Sequence, residues 1–213
     1  MPEPASRGCA SFHPWFALQW DNEAAMNLRP DLRMDKAAFI AWMAANEGRY
    51  ELAGGRVVMM PGVSRAHGML VMNVASLHRD QLDRTQWTVI AEFGLDAGPQ
   101  TLRYPDIVVD RAGGGAKDYT ATAPALLVEV LSPSTAATDL GDKAAEYLQI
   151  PSLFAYIVLS QDEPKAWVWA RATAAFAPGP AVTAGSEAVI RVAALRLELP
   201  LTEIYAGIET GST

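Results

Sequence analysis

Two stretches decide how this chain folds: Arg103–Asp110, RYPDIVVD, and Ala125–Thr135, ALLVEVLSPST. Each is a β-branched, apolar run of strand length with a carboxylate set inside it, Asp106 directly after Pro105 and Glu129 in the middle of LLVEVL. Continuous apolar runs of this length read as strands covered on both faces. A carboxylate in such a place is costly unless it is paired, hydrogen-bonded or bound to a metal. Two of them on neighbouring strands repel unless a cation lies between them. Hard oxygen ligands of this kind suit Mg²⁺ or Mn²⁺, with water and phosphate oxygens filling the remaining positions. Such an ion activates water and polarises a phosphodiester. Spacing alone leaves another reading open, in which each acid marks a strand end or is neutralised by an arginine such as Arg103.

Outward from these strands, the chain divides into short elements. DKAAFIAWMAANEG, from Asp35, has Ala38, Phe39, Trp42 and Met43 at helical spacing, with Asp35 as its cap and Gly48 as its stop. RYELAGGRVVMM reads as a hairpin about Ala53-Gly54-Gly55. SRAHGMLVMNVASLHRDQLDR is the strongest helix, capped by Ser64, with Leu70, Val74, Leu77 and Leu82 on its buried stripe. WTVIAEFGLDA, RYPDIVVDR and PALLVEVLS read as three strands, and DLGDKAAEYLQI as one further helix that ends before Pro151. FAYIVLS and KAWVWAR form a final strand pair. The order αββαβββαββ implies a single α/β (α+β) domain over residues 31–210, a mixed sheet flanked by helices. Residues 1–30, with scattered prolines and aromatics, read as an N-terminal arm.

The 213 residues are half hydrophobic and 19% charged, enough apolar content for a real core. The formal net charge of −7 argues against a broad basic surface that grips nucleic acid by counterion release. It leaves room for a small metal-assisted site, where the ion supplies positive charge locally. Cys9 is the single cysteine, which excludes an internal disulfide framework and a cysteine-rich zinc site. With no secretory signal pattern and no apolar run of membrane length, the expectation is a cytoplasmic protein without membrane contact.

YPDIVVD followed by LLVEVLSPST resembles the PD-(D/E)XK nuclease superfamily. Within it, the chain is similar to the bacterial restriction-endonuclease-like family called Uma-two. RYELAGGRVVMMPGVSRAHG, DLGDKAAEYLQIPSL, YIVLSQDEPKAWVWAR and LPLTEIYAG resemble that family's other blocks, in its order, over roughly residues 35–208. The resemblance implies a restriction-endonuclease-like core, a central mixed sheet flanked by helices, and hydrolysis of phosphodiester bonds of DNA or another nucleic acid. It implies Asp106 and Glu129 as metal ligands, with the backbone carbonyl of Val130 as a further oxygen donor. Nuclease-fold proteins often pair to address two strands, which carries the expectation of a homodimer.

The motif's third position departs from the pattern. E-x-K places lysine two residues after the glutamate, and residue 131 is leucine. Lys143 is the candidate substitute, with Asp139, Lys143 and Tyr147 at i, i+4, i+8 near one helix face. If that helix packs beside the strand of Glu129, the lysine reaches the attacking water. The plainer alternative is a surface pair with Asp139, worth only about a few tenths of a kcal/mol. By the same resemblance Glu51 is a further acidic ligand or holds a water, and His67 is a general base or phosphate contact. Their local alternatives are a glutamate paired with Arg56 and a histidine that caps or packs. Glu92 is a weaker candidate of the Glu51 type. Ser132 reads as a turn organiser rather than a nucleophile, and Trp167 and Trp169 as cover for the sheet or an interface rather than base-stacking platforms. The second class of function is a non-catalytic, nuclease-like module that binds a partner or nucleic acid, its lysine lost and its acids kept for structure.

Overall fold

Residues 32–131, 136–171 and 175–209 are described in this computed structural model; the expected arm at 1–30 and Ser132 lie outside them. The chain divides into two units between Asp31 and Leu32, and the second is the one described here. Its elements are α1 (Lys36–Met43), β1 (Tyr50–Ala53), β2 (Arg56–Met59), α2 (Arg65–Gln81), β3 (Trp87–Ala91), β4 (Leu95–Gly98), β5 (Thr101–Arg103), β6 (Ile107–Arg111) and β7 (Leu126–Val130). After these come α3 (Ala136–Leu140), α4 (Asp142–Tyr147), β8 (Ala155–Leu159), β9 (Lys165–Ala170), β10 (Ala181–Ala184), β11 (Val189–Val192), a 3₁₀ turn, β12 (Leu197–Pro200) and α5 (Leu201–Ile204).

The apolar runs β7 and β8 are buried at every position and lie side by side in a six-stranded sheet ordered β10-β9-β8-β7-β6-β3. Only β7 and β8 are parallel in that sheet. A parallel pair needs a crossover, and this one carries α3 and α4. Alternation of side chains sorts the strands into two packed faces. Ile107, Val109, Val128, Val130, Ile157 and Leu159 meet Leu70 and Val74 of α2, together with Leu201 and Ile204 of α5. Val108, Leu127, Tyr156, Val158 and Trp169 meet Ala144 and Tyr147 of α4 and Leu95 of β4. A slip of one residue would exchange these two sets, so the pattern fixes the register.

The hairpin signal gives β1 and β2 around Gly54-Gly55, both at positive φ as a two-residue primed turn requires. These strands belong to a second sheet, ordered β2-β1-β5-β4, over a small core of Phe39, Tyr50, Leu52 and Leu102. Asp35 and Ser64 cap α1 and α2 through side-chain oxygens that accept from Ala38 N and His67 N at 2.8 and 3.0 Å.

Several boundaries differ from the expectation. WTVIAEFGLDA is two strands in two sheets, broken at Glu92, which takes a positive φ of 51°. RYPDIVVDR is likewise divided at Tyr104-Pro105-Asp106, so that Arg103 ends a strand of the smaller sheet while Asp106 stands at the lip of the larger one. Proline has no N–H to give a ladder, and the chain changes sheets where it sits. Helix α1 stops at Met43, short of Gly48. DLGDKAAEYLQI is broken at Gly141, where a Cβ would lie 2.7 Å from the carbonyl oxygen of Ala137. Trp169 is buried and stacks on Tyr156, and Trp167 lies under the Lys165 ammonium, so both cover the sheet. Among the described residues no helix is long and apolar enough to cross a membrane.

Candidate active site

Asp106 and Glu129 come from adjacent strands. The antiparallel register pairs Ile107 with Val128, and one further step sets Asp106 across from Glu129 at one end of the sheet. Both are buried, 5% and 4% exposed. Asp106 Oδ2 accepts from the Val130 N–H at 2.7 Å, and Oδ1 lies 3.0 Å from Nε2 of His67, in the first turn of α2. Leu131 N–H donates to Leu159 O of β8. Peptide groups along a strand alternate between its two neighbours, so those of Val130, the carbonyl included, face the Asp106 side.

Glu129 Oε1 accepts from Lys143 Nζ and from the Tyr147 hydroxyl, each at 3.0 Å. Lys143 Nζ also lies 2.9 Å from Asp139 Oδ1, and the Tyr156 hydroxyl donates to the Asp139 carbonyl at 2.9 Å. The i, i+4, i+8 face of the sequence is present even though the helix is broken. The close approach permitted by Gly141 lets α3 supply Asp139 and α4 supply Lys143 and Tyr147 to one place. Lys143 is buried rather than at the surface, and Leu131 packs into the apolar cluster with Leu140 and Tyr147.

Burial pushes the Glu129 carboxyl up to about 8; Lys143 pulls it down, while the charges of Asp106 and Asp139 add to the rise. Burial works against the Lys143 ammonium, but Glu129 and Asp139 outweigh it and hold its pKa above the usual lysine value. Tyr147 is buried beside Glu129 and stays a neutral hydroxyl, its pKa well above the usual value.

Glu51, on β1, pairs with Arg103 rather than Arg56: Oε1 accepts from Nη1 at 2.6 Å. Arg103 holds Glu146 of α4 by two further bonds, Nε at 2.8 Å and Nη2 at 2.9 Å, a fork matched to a carboxylate. This ties the smaller sheet to α4. Glu51 Oε2 is buried and has no hydrogen-bond partner among the described residues. A cleft of about 460 Å³ opens here, with Glu51, Arg103 and Lys143 at its base and Val58, Met59, Met60 and Pro61 along one wall.

Asp106, Glu129, Val130, Lys143 and His67 therefore meet at one end of the sheet, with Glu51 across the cleft from Lys143. Glu92 pairs with Arg49 at 2.7 Å, half exposed, and stays outside this group. The sequence reading gave no site role to Tyr147, Glu146 or Arg103 as the holder of Glu51. The i+8 spacing pointed at Tyr147; nothing local announced an arginine that joins Glu51 of the smaller sheet to Glu146 of α4. Among the described residues no three His, Cys, Asp or Glu side chains form a ready metal cage, so an ion here would rely on two carboxylates, a carbonyl and water.

Two uncharacterised proteins of Synechocystis are 27% identical over 62% of this chain and 70% of their own, and 28% identical over 52% of this chain and 66% of their own. The crystal structure of a "putative nuclease" of the DUF820 group from Anabaena variabilis has the same fold, with a TM-score of 0.64 over 78% of this chain and 96% of that one, at 16% identity. The Uma2 family profile, described as "Putative restriction endonuclease", matches residues 37–202, which include every site residue named above. The chain belongs to the Uma2 family of restriction-endonuclease-like proteins.

Proposed function

We propose that the protein is a divalent-metal-dependent nuclease that hydrolyses phosphodiester bonds, with Asp106, Glu129 and the Val130 carbonyl as metal ligands. The observation that carries this reading is the Lys143 ammonium 3.0 Å from Glu129, in a pair of facing strands that also presents Asp106. The donor set suits the ion: the oxygens are hard, the two carboxylates repel each other, and Mg²⁺ is commonly bound by one or two carboxylates with the remainder water. Mg²⁺ or Mn²⁺ at this place supplies Lewis-acid polarisation of the phosphodiester and an acidified water.

The side chains have separable roles. Lys143 keeps its proton, so it acts as a fixed positive charge that counters Glu129 and stabilises charge developing on the phosphoryl oxygens. His67, held by Asp106, is the imidazole placed to accept a proton from the attacking water. Glu51 lines the cleft beside Lys143, keeps one buried oxygen without a partner among the described residues, and adds a negative charge that helps hold Lys143 protonated. Tyr147 fixes the orientation of Glu129.

The test is cleavage of DNA and RNA substrates by the full chain with Mg²⁺ or Mn²⁺, against chelator and against Glu129→Ala. Cleavage that needs the metal and disappears in the variant is expected. Equal cleavage by both proteins would identify a contaminant, and no cleavage of any substrate would favour a non-catalytic nuclease-like module.

A further inference from the structure

A closed circuit of hydrogen bonds runs around the proposed centre, and Gln161, in the turn between β8 and β9, completes it. Its Nε2 donates to the carbonyl of Leu131, the residue after Val130 at the end of β7. Its Oε1 accepts from the Ser64 hydroxyl at 2.5 Å. The same Ser64 oxygen accepts the His67 N–H at 3.0 Å as the cap of α2. His67 Nε2 lies 3.0 Å from Asp106 Oδ1, and Asp106 Oδ2 accepts from the Val130 N–H at 2.7 Å. From Leu131 the circuit passes through Gln161, Ser64, His67 and Asp106 and returns to Val130, its neighbour in the chain.

The chemistry of each group fixes the direction of the circuit. A carbonyl only accepts, so the Gln161 amide turns its NH₂ to Leu131 and its oxygen to Ser64. The Ser64 proton is then committed to Gln161, and a lone pair of the same oxygen is left for the His67 N–H. A primary amide offers donor and acceptor from one rigid plane; a carboxylate or an ammonium does not. The turn that carries Gln161 is itself held: Ser160 N–H donates to Lys165 O at 3.0 Å, and the Tyr205 hydroxyl donates to Ser160 O at 2.7 Å. Leu70 and Val74 seat α2 on the sheet, while the circuit sets where its first turn, with His67, stands relative to the end of β7. We propose that Gln161 is a positioning residue that, through Ser64, holds the His67 imidazole in place beside Asp106 and the strand end bearing Glu129 and Val130. Its effect on turnover rests on the nuclease reading; its effect on His67 does not. Ser64 is exposed and Gln161 half-buried, so the link contributes little to stability, and its loss should show in the placement of His67 rather than in unfolding.

The experiment breaks the link at either end. Gln161→Leu removes both amide bonds at similar volume. Ser64→Asp keeps a capping oxygen for the His67 N–H but has no proton to give Gln161, and Ser64→Thr keeps both functions. Two-dimensional NMR of the histidine ring nitrogens in the chelated full chain reads His67 without any activity. His67→Gln identifies its signals among the three histidines, and the buried ring of His78 is the internal control. Cleavage of labelled DNA and RNA oligonucleotides with Mn²⁺ reads kcat and KM. Expected are displaced or broadened His67 ring signals in Gln161→Leu and Ser64→Asp, unchanged ones in Ser64→Thr, and unmoved His78 signals throughout. In the same two variants kcat should fall about fivefold or more with KM within about twofold, while Ser64→Thr stays within about twofold of wild type. His67 signals that stay in place in both Gln161→Leu and Ser64→Asp, a loss carried by KM alone, or an equal loss in Ser64→Thr would overturn the positioning role. Displaced His67 signals in a protein that cleaves neither substrate would support the role of Gln161 and remove the nuclease reading instead.

Discussion

Replacing Lys143 with methionine probes the centre most directly, because the ammonium is the positive charge between two buried carboxylates, Glu129 at 3.0 Å and Asp139 at 2.9 Å. Removing one partner of a buried pair costs roughly 3–5 kcal/mol, mostly for the charge left behind. The dependence on pH identifies which charge that is. Burial raises the folded-state pKa of Glu129 from its ordinary value of 4.5 to about 8, so the folded protein binds this proton more tightly than the unfolded chain does. The stabilisation tied to that proton is fully present below about pH 4.5 and is lost as the pH climbs to about 8, beyond which the wild type ionises Glu129 and its contribution levels off. Without Lys143 the carboxyl holds its proton to higher pH still. The stability difference between Lys143→Met and wild type should therefore be nearly constant near pH 7. Above pH 8 it should widen by up to about 1.4 kcal/mol per pH unit. Urea unfolding with chelator at about pH 7, 8 and 9.5 measures it, taking free energies from the linear extrapolation. The double variant Glu129→Gln/Lys143→Met should lose the alkaline widening. A cost that does not grow between about pH 8 and 9.5 would refute the claim that Lys143 is the counter-charge of Glu129.

Three other expectations follow from the same geometry. Glu129→Gln removes a carboxylate that is costly to ionise; thermal unfolding of the chelated protein at about pH 9 should show stability equal to or above wild type, while calorimetric Mn²⁺ affinity drops by about tenfold or more. His78 is fully buried, donates Nδ1–H to Val74 O at 2.7 Å, and has its pKa lowered to about 4 by burial. A depressed folded pKa gives stability that is present above about 6.5 and is lost as the pH falls to about 4. The loss is of order 3 kcal/mol, and urea titrations should show it shrinking in His78→Leu. Gly141→Ala would set a Cβ 2.7 Å from the Ala137 carbonyl, a contact with backbone that cannot rotate away. It should cost about 1–3 kcal/mol in denaturant unfolding and lower metal-dependent cleavage, since Asp139 and Lys143 flank the bend.

The strands that carry the centre were legible because a five-residue apolar run buried on both faces has almost no alternative home. A carboxylate within it has to be explained by a partner. The hairpin was legible from two adjacent glycines, and the caps from Asp35 and Ser64. What sequence could not show was how one run is divided between two sheets. RYPDIVVD reads as a single strand, yet the proline joins strands of different sheets, and only this division sends Arg103 to Glu51 and Glu146 while Asp106 turns to His67 and Val130. Likewise DLGDKAAEYLQI has the periodicity of one helix, since periodicity registers faces rather than bends. The break at Gly141 depends on a close approach to Ala137 that no spacing rule encodes.

The leucine at position 131 gains a physical account from the same comparison. Two residues beyond Glu129 on the strand, residue 131 falls on the same face of β7, and Leu131 packs with Leu140 and Tyr147 against the α4 side. Lys143 approaches that face from the helix above it and sets its ammonium 3.0 Å from Glu129. An ammonium delivered from the strand and one delivered from the helix meet the same carboxylate; what differs is what must pack around the stem. A lysine at 131 would run its stem through the apolar cluster that Leu131 now fills, whereas Lys143 enters from α4, just after the tight bend that Gly141 permits. The charge requirement of the centre is local, but the backbone position that meets it is set by where the core can spare an apolar side chain.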